Sequence, residues 1–192
     1  MNREYPGARG AASFGLWRLA RPDIFGTVDA TRPVVLSDFL SPKRVKIPLR
    51  NTEKNALLRE LVAVLVEAEG LQSDEEEIFR AVQAREEVLS TGIGDGVALP
   101  HAKSEVVPDL VVAAGVSAEP VEFDALDGRP VQIFFLLLAP ERAMGAHIKA
   151  LSRISRLLRQ ESLRRRLLEA TDAREFVRIV QEAEATALSN RS

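Results

Sequence analysis

The chain has 192 residues, 46% hydrophobic and 28% charged, with two histidines, no cysteine and a formal net charge of -2. That balance supports a soluble domain with a real core plus an appendage. It excludes disulfides, thiolate catalysis and Cys-ligated metals, and gives no electrostatic reason to bind nucleic acid or an anionic membrane.

Residues 1–33 carry Gly, Arg and Pro without a sustained apolar segment, so they read as a disordered extension and not as a signal peptide. The folded domain is expected over 34–188, in the cytoplasm and without direct membrane insertion. The longest apolar run, Ile133 to Ala139, falls far short of the roughly 18 residues a membrane span needs. Arg44–Leu49 is a candidate strand whose Pro48 marks an end or an edge. Thr52–Glu69 is a helix: Leu57, Leu58, Leu61, Val62, Leu65 and Val66 form its stripe, and Gly70 closes it. Ser73 with Glu76 forms a capping box that opens a second helix through Ile78, Phe79, Val82 and Val88, ending at Ser90 to Gly92. Val97–Leu99 is a short strand ending at Pro100 and His101, and Leu110–Val116 is a second. Asp127 and Gly128 supply a turn into a third, Val131–Ala139, which reads as buried on both faces. Helices follow from about Ala143 to Leu158, from about Ser162 to Ala170, and from a cap at Thr171 or Asp172 onward through Phe176 and Val180. Helices on both faces of a small mixed sheet make a three-layer α/β sandwich.

The run Gly92-x-Gly94-x-Gly96 lies after a helix and before a strand, the reverse of a dinucleotide fingerprint, and the P-loop Gly-Lys-Ser/Thr ending is absent. With Thr91, these glycines form a candidate phosphate loop whose amides converge on an anion; the alternative is a helix C-cap plus a turn into a strand, which accounts for Gly92 but leaves Gly94 and Gly96 over-supplied. Nearby, His101 offers a nitrogen nucleophile that titrates near neutrality. Together they suggest phosphoryl chemistry on histidine. If one neutral ring nitrogen attacks, the other should hold its proton in a bond to a backbone carbonyl. His147 leads a helix whose stripe continues at Leu151, Ile154 and Leu158, so it faces inward, as a carbonyl-bonded core histidine or as a site residue. Arg85, near the helix end, either complements the helix dipole or reaches an anion held by the loop. The basic residues Arg153, Arg156, Arg159, Arg164, Arg165 and Arg166 raise RNA binding as a rival. However, Arg153, Arg156 and Arg159 recur as a solvated helix face would, and aromatic residues for base stacking are sparse. No nucleic-acid partner is expected.

The stretch from Thr91 to Lys103, TGIGDGVALPHAK, resembles the active-site signature of type 2 IIA components of the bacterial phosphotransferase system. This is the fructose–mannitol class that includes stand-alone nitrogen-regulatory proteins. The likeness extends to Arg85 and Glu86, to Phe123–Asp127 and to His147–Leu158, spanning about Leu36 to Glu184. Asp95 stands where the nitrogen-regulatory branch most often has asparagine, and Ala102 where it often has glycine. The resemblance implies that His101 is the phosphoacceptor and that Arg85 and His147 line its pocket. It implies no nucleotide, cofactor or metal. The expected partners are a histidine phosphocarrier protein as donor and, downstream, either a IIB component in a sugar relay or a regulated target protein.

Overall fold

The computed structural model describes residues 35–189, so the expected extension over residues 1–33 lies outside the described residues. Strands β1 (Val45–Leu49), β2 (Gly92–Gly94), β3 (Val97–Ala98), β4 (His101–Lys103), β5 (Val111–Val121) and β6 (Val131–Ala139) form one mixed sheet. Its order is β1-β5-β6-β3-β2, with β4 also on β6. The central pair β5–β6 is antiparallel, β1 runs parallel to β5, and β3 and β4 run parallel to β6. Among the described residues five α-helices flank it: α1 (Lys54–Glu69), α2 (Glu75–Val88), α3 (Met144–Leu158), α4 (Glu161–Leu168) and α5 (Ala173–Ser189).

The unbroken apolar run of β6 has a direct cause. Phe134, Leu136 and Leu138 join one core with the stripes of α1 and α2, among them Leu57, Leu61 and Val82. Phe135, pointing the other way, packs on Phe176 of α5 with ring centroids 5.6 Å apart. Both faces are therefore buried, and the alternation that marks a half-exposed strand disappears. The expected three-layer α/β sandwich is the observed one. Among the described residues no helix is long and apolar enough to cross a membrane.

Helix α1 buries the whole expected stripe and ends at Gly70 in the left-handed conformation, φ 72°. It is capped by Glu53 and not by Thr52, the Glu53 carboxylate accepting the amides of Asn55 and Ala56 at 3.0 and 2.8 Å. The capping box expected at Ser73 is not made. Its hydroxyl donates to Asp74, and Glu76 instead pairs with Arg59 and Arg80. Val88, expected on the apolar face of α2, is 81% exposed at the helix end. At α5 the cap is Asp172, whose Oδ1 accepts the amides of Arg174 and Glu175.

Arg153 departs most from expectation. It is not on the solvated face with Arg156 and Arg159 but buried, its Nε 3.4 Å from Glu184 Oε1. Glu184 also accepts the amides of Leu36 and Ser37 at 2.7 and 2.9 Å. A carboxylate on the last helix thus ties the first described residues to α3. Arg164 donates to the carbonyls of Leu158 and Arg159, and Arg166 pairs with Glu182. Three arginines of the basic run are consequently engaged within the fold.

Candidate active site

Pro100 has no N–H to give the ladder, but its carbonyl accepts from Leu137 at 3.0 Å, and pairing with β6 resumes at once. His101 therefore opens a second short strand opposite Leu137 instead of trailing the end of one, which corrects the expected strand end. Its ring is held at both nitrogens. Nδ1 lies 2.8 Å from the Leu99 carbonyl, and Arg85 Nε donates to Nε2 at 3.1 Å. A nitrogen that accepts from a guanidinium carries no proton of its own. The proton therefore sits on Nδ1 and donates to Leu99, the carbonyl bond expected of an imidazole presented for attack. Burial lowers the pKa of His101 below the ordinary histidine value. The Leu99 bond opposes that shift, Arg85 adds to it, and Glu86 offsets part of it. The ring is neutral at pH 7, with the Nε2 lone pair accepting from Arg85.

Arg85 closes its helix and also reaches the histidine. Its Nη1 donates to the Leu89 carbonyl at 2.9 Å, closing the end of α2, while its Nε reaches His101. His147, on the first turn of α3, is buried at 4% exposure. Its ring stands edge-on to that of His101, centroids 5.6 Å apart at 73°. Its Nε2 is buried with no hydrogen-bond partner among the described residues. Burial, then the neighbouring His101 and Lys103, push its pKa down to about 4. An unsatisfied buried nitrogen facing another imidazole is a costly arrangement, of order 1–3 kcal/mol, unless a ligand supplies the partner.

Arg85, His101, Lys103 and His147 line one cleft of about 410 Å³, with Met144 and Ile148 on its apolar side. Lys103 is a site residue that the motif alone does not single out. It lies two residues beyond His101 on the same strand and so shares its face, a period-2 signal that was available. In this structure its Nζ pairs with Glu141 at 2.9 Å.

The glycine loop is placed differently from the expected cradle. Gly92, Gly94, Gly96 and Thr91 do not line the cleft. Gly94, Asp95 and Gly96 have φ of 93°, 55° and 74°, three consecutive left-handed residues that turn β2 into β3 as a hairpin. Gly92 is needed for close approach, since a Cβ there would lie 2.7 Å from Ala125 Cβ. Three of the loop amides have partners within the fold. Thr91 donates to Glu86, Gly92 to the Ser90 hydroxyl at 3.1 Å, and Asp95 to Asp127 at 2.8 Å. The glycines serve the hairpin turn and the close approach to Ala125.

Comparison with known proteins accords with this constellation. Residues 38–183 match the family model described as phosphoenolpyruvate-dependent sugar phosphotransferase system, EIIA 2. A fructose-specific EIIABC component of Bacillus subtilis is 36% identical over 77% of this chain and 23% of its own length, so the chain spans under a quarter of that relative. A nitrogen regulatory protein of Bradyrhizobium diazoefficiens is 36% identical over 79% of this chain and 98% of its own. The crystal structure of nitrogen regulatory protein IIA-Ntr from Neisseria meningitidis superposes with a TM-score of 0.71 at 33% identity, covering 77% of this chain and 99% of that one. The chain belongs to the type 2 EIIA family of the phosphotransferase system.

Proposed function

We propose that this protein is a cytoplasmic phosphoryl carrier that accepts a phosphoryl group on His101 Nε2 from a histidine phosphocarrier protein and passes it to a IIB component. The observation that carries the reading is the fixed ring: Nδ1 is held by Leu99, and Nε2 opens toward a cleft that holds Arg85 and an unpartnered His147. Nε2 attacks phosphorus as the bond to the donor's histidine breaks, and the Nδ1 proton stays where it is. For this the Arg85 guanidinium leaves the Nε2 lone pair as the phosphoryl group arrives and turns to bond the phosphoryl oxygens. His147 and Lys103, which line the same cleft, would supply further contacts to those oxygens. Little covalent work remains beyond in-line positioning and charge stabilisation, which these groups supply. A protein donor needs a surface to press against, and Val88, Leu89 and Ile148 are 81%, 61% and 59% exposed beside the site residues.

One observation favours a second reading. The Bradyrhizobium regulatory protein is matched over nearly its entire length, the fructose component only over a fraction. In that reading the same phosphorylation occurs, and the state of His101 governs binding to a transporter, kinase or other target in place of onward transfer.

Incubation with a radiolabelled, histidine-phosphorylated carrier tests the shared step. Wild type should acquire acid-labile label and His101→Ala should not; equal label on both would reject the assignment. A candidate IIB protein added to the labelled wild type then separates the readings, since label moves to IIB only in a relay.

A further inference from the structure

Arg85 and Glu86 are adjacent on the last turn of α2, yet they serve opposite sides of the histidine. Arg85 touches Nε2 directly. Glu86 turns away from the cleft and is buried, its side chain only 4% exposed. Both of its oxygens accept the Thr91 amide at 3.1 Å, and it also receives the Thr91 hydroxyl and the Lys54 ammonium, the latter at 3.0 Å. The Thr91 carbonyl accepts the Leu99 amide at 3.0 Å. The Leu99 carbonyl in turn accepts His101 Nδ1–H at 2.8 Å. An unbroken file of hydrogen bonds therefore runs from a buried carboxylate to the ring nitrogen that does not react.

Ending the helix does not require this carboxylate. Arg85 already satisfies the Leu89 carbonyl, and the Ser90 hydroxyl bonds the Phe123 carbonyl across the loop at 2.7 Å. Burying a charge is costly, and Lys54 compensates it only while also serving Asp124 and the Phe123 carbonyl. The specific consequence of the Glu86 bonds is that Thr91 is held at both its amide and its hydroxyl, and the Leu99 backbone bonded to its carbonyl is held with it.

We infer that Glu86 is a positioning residue for His101: by pinning Thr91 it aims the Leu99 carbonyl at Nδ1, keeps the proton there and leaves Nε2 bare toward the cleft. Thr91, expected in a phosphate loop, is the middle of this relay. Its effect on phosphoryl transfer rests on the carrier reading above, whereas its effect on the ring does not.

The test is long-range proton–nitrogen NMR of the full chain labelled with ¹⁵N-histidine, at neutral pH, on wild type, Glu86→Ala, Glu86→Gln and Thr91→Val. Wild type should show a single His101 tautomer protonated at Nδ1. Glu86→Ala should populate the Nε2–H tautomer as well and accept phosphoryl on the order of a hundredfold more slowly. Glu86→Gln, with one acceptor oxygen, and Thr91→Val, with only the amide bond left, should fall between. If Glu86→Ala does not fold, the other two variants decide by the same spectrum. A wild-type tautomer in every folded variant overturns the inference, because loss of stability alone leaves the ring protonation unchanged. Failure of wild type itself to take phosphoryl would reject the carrier reading and leave the tautomer result to decide the role of Glu86.

Discussion

Replacing His147 with leucine should remove a defined part of the protein's sensitivity to acid. The folded-state pKa of about 4 lies well below the ordinary 6.5 because the ring is buried beside His101 and Lys103. Above 6.5 the residue is neutral in both folded and unfolded chains and contributes no pH dependence. As pH falls below 6.5 the unfolded chain takes up the proton first, so stability is lost until the folded ring also protonates near 4. Each pH unit inside that window is worth about 1.36 kcal/mol, so from about pH 7.5 to about pH 5 the loss due to His147 is about 2 kcal/mol. Urea melts of wild type and His147→Leu at both pH values isolate this contribution, because carboxylates titrating nearby act in both proteins. Wild type should lose about 2 kcal/mol more than the variant. An equal loss in both would mean that His147 is not held neutral by burial, and the account of its unpartnered nitrogen would fail with it.

Two further outcomes follow from the same geometry. Arg85→Met removes the cation bonded to His101 Nε2, so it should raise the His101 pKa in an NMR titration and slow phosphorylation on the order of a hundredfold; an unmoved pKa together with an unmoved rate would remove Arg85 from the site. Gly115→Ala would set a Cβ 2.6 Å from Leu49 Cδ1 and 2.9 Å from the Lys46 carbonyl, where β1 meets β5, and should cost about 1–3 kcal/mol in a denaturant melt; an unchanged midpoint would show that β1 can move away freely.

What the sequence disclosed depended on the range of the interaction. The stripe of α1, the double burial of β6 and the inward face of His147 follow from local periodicity, and each is found in the structure. The glycine run was legible as a backbone requirement, but the purpose of that requirement was not. Three left-handed residues in a row and the close approach to Ala125 explain the glycines without any ligand. Gly-Asp-Gly between two short segments was itself a hairpin signal. Arg153 departs from the solvated face because its partner Glu184 is 31 residues away, and no helical period reveals a pair so remote in sequence. Ser73 and Glu76 had the spacing of a capping box, yet Arg59 and Arg80 offered Glu76 charged partners that a local rule does not see. The site itself divides the same way. His101 and Arg85 stand 16 residues apart, and the structure brings them to 3.1 Å. The relay through Glu86, Thr91 and Leu99 consists largely of backbone groups, which carry no sequence signature.

The central claim is that His101 presents Nε2, and only Nε2, to an incoming phosphoryl group. Protein labelled with ¹⁵N-histidine, phosphorylated by a histidine phosphocarrier and held at alkaline pH, tests it through phosphorus–nitrogen coupling in the NMR spectrum. The account predicts a single phosphohistidine, at residue 101, coupled through Nε2. A phosphoryl group on Nδ1 of His101, or on His147, would contradict it.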